Sequence, residues 1–251
     1  MTAARPIVVV AVPETLRFLL PIRNRRSGER HLPFDPDATV GHLVQAAGVP
    51  PTEVGGLRLD GRPATAAERT APGSRIDVEP AARPEPVPPG GFLLDVGLGA
   101  LARRLRLLGL DAAWSADADD AELVDIATRQ QRVLLTQDRG LLMRRALARG
   151  ALVRGAGPDD QLADVLDRFA PVLAPLTRCT ACGGRLEGVA KEVIADRLPA
   201  GTRRTYDEFS RCTSCERVYW AGAHARRIDA MIRRATLGGT TEETDRGAPR
   251  R

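Results

Sequence analysis

Phe92-Leu-Leu-Asp-Val-Gly-Leu-Gly-Ala-Leu-Ala-Arg-Arg-Leu-Arg-Leu-Leu-Gly109 opens as a short apolar strand, Phe92 to Val96, with a carboxylate set near its end. Leu98, Leu101, Ala102, Leu105 and Leu108 then recur at helical spacing, and Gly109 closes the helix. The same alternation continues downstream. Ala112 to Trp114 reads as a strand, and Asp120 to Gln131 as a helix carrying Leu123, Val124, Ile126 and Ala127. Arg132 to Thr136 is a strand running into Asp138, Leu141 to Arg149 a helix, Ala151 to Val153 a strand and Gln161 to Phe169 a helix. Strands alternating with helices predict a parallel α/β sheet over residues 92–176.

Upstream, residues 81–91 belong to the run Pro80-Ala-Ala-Arg-Pro-Glu-Pro-Val-Pro-Pro-Gly-Gly91, a composition that predicts an extended, semi-rigid connector. Residues 1–80 form a smaller unit before it. Ile7 to Val12 is β-branched, Arg30 to Phe34 is a second strand, and Val40, Leu43, Val44 and Ala47 recur at helical spacing from Thr39 until Gly48. Leu57 to Leu59 leads into an Asp60-Gly61 turn, and Arg75 to Val78 is a final alternating strand. Strand, strand, helix, strand, strand resembles the ubiquitin-like β-grasp fold, in particular its small sulfur-carrier branch. Such carriers act through a free C-terminal Gly-Gly; here Phe92 follows Gly90-Gly91, so sulfur transfer requires cleavage after Gly91, and the pair reads as the end of a linker.

The 251 residues carry 37 Lys+Arg against 32 Asp+Glu, with 43% hydrophobic and 27% charged residues, as expected of a globular chain with more than one core. No run approaches the roughly 20 apolar residues of a membrane span, and no secretory signal opens the chain, so a cytoplasmic protein is expected. Lys191 is the one lysine, a bias that reflects coding composition more than guanidinium chemistry. Distribution is more telling than abundance: residues 92–176 hold 11 basic and 12 acidic residues, residues 177–236 hold 12 and 7.

All four cysteines fall in that basic region, as Cys179-Thr-Ala-Cys182 and Cys212-Thr-Ser-Cys215. Two Cys-x-x-Cys pairs without an export signal predict a metal site, and four thiolates make a closed tetrahedral zinc shell with no position for water. The expectation is a zinc ribbon over residues 177–236, ending in a helix from Ala223 to Ala235, with structural zinc. Residues 237–251 have almost nothing to bury and are expected to be disordered.

Three acids have the placement that metal chemistry needs. Asp95 ends one strand, Asp138 follows another, and Asp120 opens the helix between. Ligands of parallel sheets bind beyond the carboxyl ends of strands, and clustered carboxylates are stable when a hard divalent cation, Mg²⁺ or Mn²⁺, neutralises them. Plainer roles compete: Asp119 to Glu122 has the form of a capping box, and Asp138 is placed to cap the following helix.

With these residues in view, the chain becomes recognisable. Phe92 to Gly109, Asp119 to Ala127, Leu134-Leu-Thr-Gln-Asp-Arg-Gly-Leu-Leu142, Asp159 to Leu162, both cysteine pairs, Tyr206 to Trp220 and Gly222-Ala-His224 resemble the mutator-seven C-terminal RNase domain family, a PIN-like nuclease fused to a zinc ribbon. The family is also known with an N-terminal ubiquitin-like domain. The resemblance implies metal-dependent RNA cleavage, with Asp95, Asp120 and Asp138 as catalytic metal ligands and Glu122 and Asp159 as further candidates. It departs at Gln137, where arginine is common, and at Arg104, where an aromatic residue is common.

The leading expectation is therefore a Mg²⁺- or Mn²⁺-dependent ribonuclease that leaves 5′-phosphate and 3′-hydroxyl ends. Arg203, Arg204, Arg211 and Arg217 would help the ribbon bind RNA, with tRNA or another structured RNA among the candidate substrates. The β-grasp domain is a candidate site for a protein or RNA partner. The alternative is a non-catalytic RNA- or ribosome-binding module in which the acids only cap helices.

Overall fold

The computed structural model describes residues 5–220, 230–233 and 235. Strand β1 (Ile7–Ala11) buries Val8 and Val10, and two 3₁₀ turns follow at Glu14–Leu19 and Ile22–Asn24. Strand β2 (Glu29–Pro33) returns antiparallel to β1, with Val9 opposite His31. Helix α1 (Val40–Ala47) starts where the Thr39 hydroxyl accepts the His42 N–H at 3.2 Å and stops at Gly48 in the left-handed conformation. Its buried stripe is Val40, Leu43, Val44 and Ala47. Strand β3 (Val54–Leu59) turns through Asp60 and Gly61, both at positive φ, into β4 (Arg62–Pro63), and β5 (Arg75–Pro80) completes a sheet of order β2-β1-β5-β3-β4. Parallel pairing of β1 with β5 at its centre, Val10 opposite Ile76, is the β-grasp arrangement expected from the element order. The short β4 and the 3₁₀ turns are additions to that order.

Strand β6 (Phe92–Leu94) is fully buried and stops two residues earlier than expected, because Asp95 turns the chain into a 3₁₀ turn, Val96–Leu98. Helix α2 (Gly99–Leu107) and β7 (Ala112–Trp114) follow as expected. Helix α3 (Asp120–Arg129) is capped by Asp119, whose carboxylate accepts the Glu122 N–H at 2.9 Å. Strand β8 (Val133–Thr136) leads to α4 (Arg139–Leu142), a single turn where residues 141–149 were expected to be helical. Leu147 reaches the core from a turn instead, its N–H donating to Arg144 O at 3.0 Å. Strand β9 (Gly150–Leu152) precedes α5 (Pro158–Phe169), which starts earlier than expected because Pro158 occupies the first position, where its fixed φ suits a helix.

The cysteine region forms a three-stranded antiparallel sheet, β10 (Leu186–Gly188), β11 (Phe209–Cys212) and β12 (Val218–Trp220), with β11 central. Between β10 and β11 lie α6 (Lys191–Ile194) and α7 (Ala200–Thr205). Ile194 of α6, Leu198 and Phe209 of β11 form a small core, flanked by Val189, Tyr206 and Val218. Of the expected terminal helix, residues 230–233 and 235 are helical; its remainder and the tail 237–251 lie outside the described residues.

The chain divides into two compact units, Met1–Glu85 with Asp119–Leu152, and Pro86–Ala118 with Val153–Arg251. In the first, β8 runs parallel to β9, α3 packs on β8, and the 3₁₀ turn Pro51–Glu53 meets β9. In the second, β6 runs parallel to β7, and α2 packs on β7 and α5. There the Phe92 and Phe169 rings meet edge-on with centroids 5.2 Å apart. Parallel neighbours are what helical connections between strands require. No helix among the described residues is long and apolar enough to cross a membrane.

Candidate functional site

The two cysteine hairpins bring Cys179, Cys182, Cys212 and Cys215 together, with all four sulfurs within 4.8 Å of one another. Cys182 Sγ lies 3.4 Å from Cys212 Sγ and Cys179 Sγ 3.6 Å from Cys215 Sγ. A tetrahedral ion with bonds of about 2.3 Å to sulfur needs sulfurs roughly 3.8 Å apart, so the donor set and its spacing fit zinc. The supporting contacts also fit. Backbone N–H groups of Ser214 and Cys215 point at Cys212 Sγ at 3.4 and 3.5 Å, and that of Cys182 at Cys179 Sγ at 3.5 Å. Cys179 and Cys212 are buried, while Cys182 and Cys215 are exposed.

Burial pushes the Cys179 thiol up, but hydrogen bonds from the Tyr219 hydroxyl, 3.0 Å away, and from the Cys182 and Ala181 N–H groups outweigh it and hold the thiol at about 6. Cys182 moves the other way, pushed up to about 12 by burial and by the neighbouring sulfurs. Four crowded sulfurs cannot all carry charge unaided, so they bind protons unequally.

Two arginines bind the first hairpin to α2 and β7. Arg106 is only 2% exposed; its Nε donates to Ala112 O at 2.7 Å and its Nη1 to Ala181 O at 2.7 Å and Thr180 O at 3.3 Å. Burial lowers the proton affinity of Arg106, and the sulfurs of Cys182 and Cys179 and the Asp111 carboxylate oppose that shift. Arg178 pairs with Asp111 at 3.0 Å and donates to Gly183 O at 3.0 Å. The reading of the sequence missed both Arg106 and Tyr219 as parts of this centre. The available signal for Arg106 was its place four residues after Ala102, on the buried stripe of the helix.

The acids occupy strand ends and helix starts. Asp95 follows β6 directly and caps the next turn, accepting the Val96 N–H at 2.6 Å. Asp138 lies two residues past β8, is exposed, and caps α4 by accepting the Gly140 N–H at 2.7 Å. Asp120, the first residue of α3, pairs with Arg144 at 2.9 Å. Glu122 is exposed on the first turn of α3. Asp159 pairs with Arg104 at 3.0 Å, which joins α5 to α2 and gives Arg104 its own packing role in place of an aromatic side chain.

Residues 90–232 match the family model described as the Mut7-C RNAse domain, and residues 5–85 match the one described as Mut7-C ubiquitin. The chain belongs to the Mut7-C RNAse domain family. Neither a curated protein nor a solved structure matches it.

In this Mut7-C chain the basic residues singled out in the ribbon are spread along its elements. Arg203 and Arg204 are exposed on α7, Arg217 is exposed just before β12, and Arg211 is half-buried on β11. The aromatic residues beside them divide by role. Phe209 is in the ribbon core, and the Tyr219 hydroxyl is bonded to Cys179 and, at 3.3 Å, to Thr180. Trp220 is 39% exposed, with its ring centroid 6.5 Å from that of Phe209. Arg226, Arg227 and His224 lie outside the described residues.

Proposed function

We propose that the Mut7-C chain is a metal-dependent ribonuclease in which Asp95, Asp120 and Asp138 hold Mg²⁺ or Mn²⁺. The observation that carries this reading is the family match over residues 90–232, a segment that contains all three acids and all four cysteines. The placement of Asp95 and Asp138 just past the carboxyl ends of β6 and β8, in a parallel pair each, supports it. When bound, a hard divalent cation supplies an activated water and stabilises charge on the phosphate. The protein's part is to hold the carboxylates by their caps and to present RNA. We assign the second task to Arg203, Arg204, Arg211 and Arg217, as guanidinium partners of phosphate. The four-cysteine centre is structural: its shell is complete with protein ligands alone.

A second reading has its own support. Asp95 and Asp138 cap turns and Asp120 is held by Arg144, so each acid already has a structural task. On that reading the chain binds RNA or ribosomes without cutting. Incubation with total cellular RNA and Mn²⁺, followed by end mapping, separates the two. Cleavage leaving 5′-phosphate and 3′-hydroxyl ends, abolished by Asp95→Asn and Asp138→Asn in folded protein, is expected. Unchanged cleavage by Asp138→Asn, with only a cap-sized loss of about 1 kcal/mol, would remove Asp138 from the site; wild-type protein that binds RNA without cutting it favours the second reading.

A further inference from the structure

Two bonds that join the ubiquitin-like domain to the segment carrying Asp138 stand out. The first involves the long connection between β1 and β2. Antiparallel neighbours need only a two-residue turn, yet residues 12–28 separate these strands. That connection is part of the core, since Leu16, Leu19 and Leu20 are at most 2% exposed. It ends its first 3₁₀ turn with the Leu19 carbonyl, which accepts the Arg139 Nη1 at 2.6 Å.

The second bond lies on strand β9, which pairs with β8 on one side. Its Leu152 N–H donates to Glu53 Oε1 at 2.9 Å, and Glu53 is 2% exposed in the 3₁₀ turn Pro51–Glu53. A backbone donor on a strand edge, buried and bonded to a carboxylate 99 residues away in sequence, is an edge sealed by the N-terminal domain. Gly150, the first residue of β9, shows how closely the pieces meet. A Cβ there would lie 2.7 Å from Leu142 Cδ2, 2.9 Å from Leu147 Cδ2 and 3.4 Å from Thr52 Cγ2. Thus β9, α4 and the turn holding Thr52 and Glu53 converge on one residue that has no side chain.

Helix α4 makes these contacts matter. It is four residues long, and a single helical turn does not sustain itself. Asp138 keeps its place by capping that turn, and Arg139, the next residue, is tied to Leu19. We propose that the ubiquitin-like domain acts in cis as a clamp on the β9 edge and the start of α4, and that Arg139 is a positioning residue for Asp138. The assignment of Asp138 rests on the ribonuclease reading; the clamp does not.

The test uses the full chain with two readouts. By hydrogen exchange, Arg139→Ala lowers protection of the Gly140 and Met143 amides about tenfold, and Glu53→Ala does the same at Leu152, while Glu53→Gln keeps its acceptor and its protection. Should Glu53→Ala fail to fold, Arg139→Ala, at an exposed position, carries this arm. By cleavage kinetics, Arg139→Ala lowers kcat up to about 100-fold with KM for RNA unchanged, and Arg139→Lys, which retains a donor for Leu19 O, recovers most of it. A raised KM at unchanged kcat overturns the positioning role and makes Arg139 a phosphate contact. Unchanged protection at Gly140 overturns the clamp whether or not RNA is cut. If the wild-type chain cuts no RNA while Arg139→Ala still loses protection at Gly140, the ribonuclease reading falls and the clamp stands.

Discussion

The Arg106 guanidinium donates to Ala181 O at 2.7 Å, so a helix of the segment bearing Asp95 grips the loop between two residues of the four-cysteine cluster. Four thiolates around one Zn²⁺ carry a net charge of −2, and a buried cation beside them offsets part of it. Protein groups behind metal ligands of this kind hold the ligands in place and tune them.

Replacement of Arg106 by methionine keeps the buried stem but leaves the carbonyls of Ala112, Thr180 and Ala181 without their donor. Stability should fall by about 3 kcal/mol, and zinc affinity by about 10- to 100-fold. Chelator competition measures the second effect. An affinity within twofold of wild type would show that the grip does not reach the metal centre.

Zinc binding should compete with protons. Cys179, held at about 6, is a lowered thiol. Its deprotonated form stabilises the fold fully above the ordinary thiol range, and that contribution is lost as pH falls through about 6. Cys182, pushed up to about 12, keeps its proton until a cation displaces it. Loading at neutral pH should therefore release protons, and affinity should decrease steadily from about pH 8 to about pH 5. Calorimetry in buffers of different ionisation enthalpy counts the protons; a count of zero at neutral pH contradicts the assignment.

Removal of the metal, or Cys212→Ser, should unfold β10, β11 and β12 while β6, β7, α2 and α5 keep their order. Among the described residues the ribbon's buried cluster is Ile194, Leu198 and Phe209, a small core to hold it without the ion. Strand amides that remain protected from exchange after complete zinc removal would contradict this.

Arg203→Ala with Arg204→Ala should weaken binding of many RNAs alike and reduce the salt slope by about one to two units. Both side chains are exposed on α7, so the fold should not change. An unchanged slope with unchanged affinity moves the RNA path elsewhere.

Gly109 is at φ +84°, and a Cβ there would lie 1.9 Å from the Ala174 carbonyl oxygen. The returning chain is bonded to the end of α2 by Ala174 N–H to Leu108 O at 3.0 Å and Leu176 N–H to Leu107 O at 2.9 Å, so it cannot simply move aside. Gly109→Ala should cost about 3 kcal/mol or more and lower Tm accordingly. A change under about 0.5 kcal/mol would show that this return segment is loose in solution.

What could be read from the sequence followed from short-range chemistry. Thr39 and Gly48 bracket α1, Asp119 caps α3, and the Cys-x-x-Cys spacings predicted four sulfurs around one point. Long-range bonds left no such trace. Arg106 looked like one more arginine on a helix rich in them, because the carbonyls it serves at Thr180 and Ala181 are 74 and 75 residues away. The 3₁₀ turns of residues 12–28 were missed although Leu16, Leu19 and Leu20 have the i, i+3, i+4 spacing of a helical face, because Pro13 and Pro21 confine that spacing to a run too short for an amphipathic helix. Phe209 is buried in the ribbon core, and the Tyr219 hydroxyl is engaged by a sulfur, roles that residue type alone did not reveal.

Synthesis order gives the bond between Glu53 and Leu152 a second meaning. The chain leaves the ribosome from its N-terminus, so β1 to β5 are complete before β9 has been made. The acceptor that seals the β9 edge is thus waiting when that strand emerges, and the edge spends little time open to a neighbouring nascent chain. A shortened protein beginning at residue 90 would retain the whole Mut7-C RNAse match and lose that protection. For expression and purification, the practical boundary of this ribonuclease-family domain therefore lies at the start of β1 and not at the start of the family match.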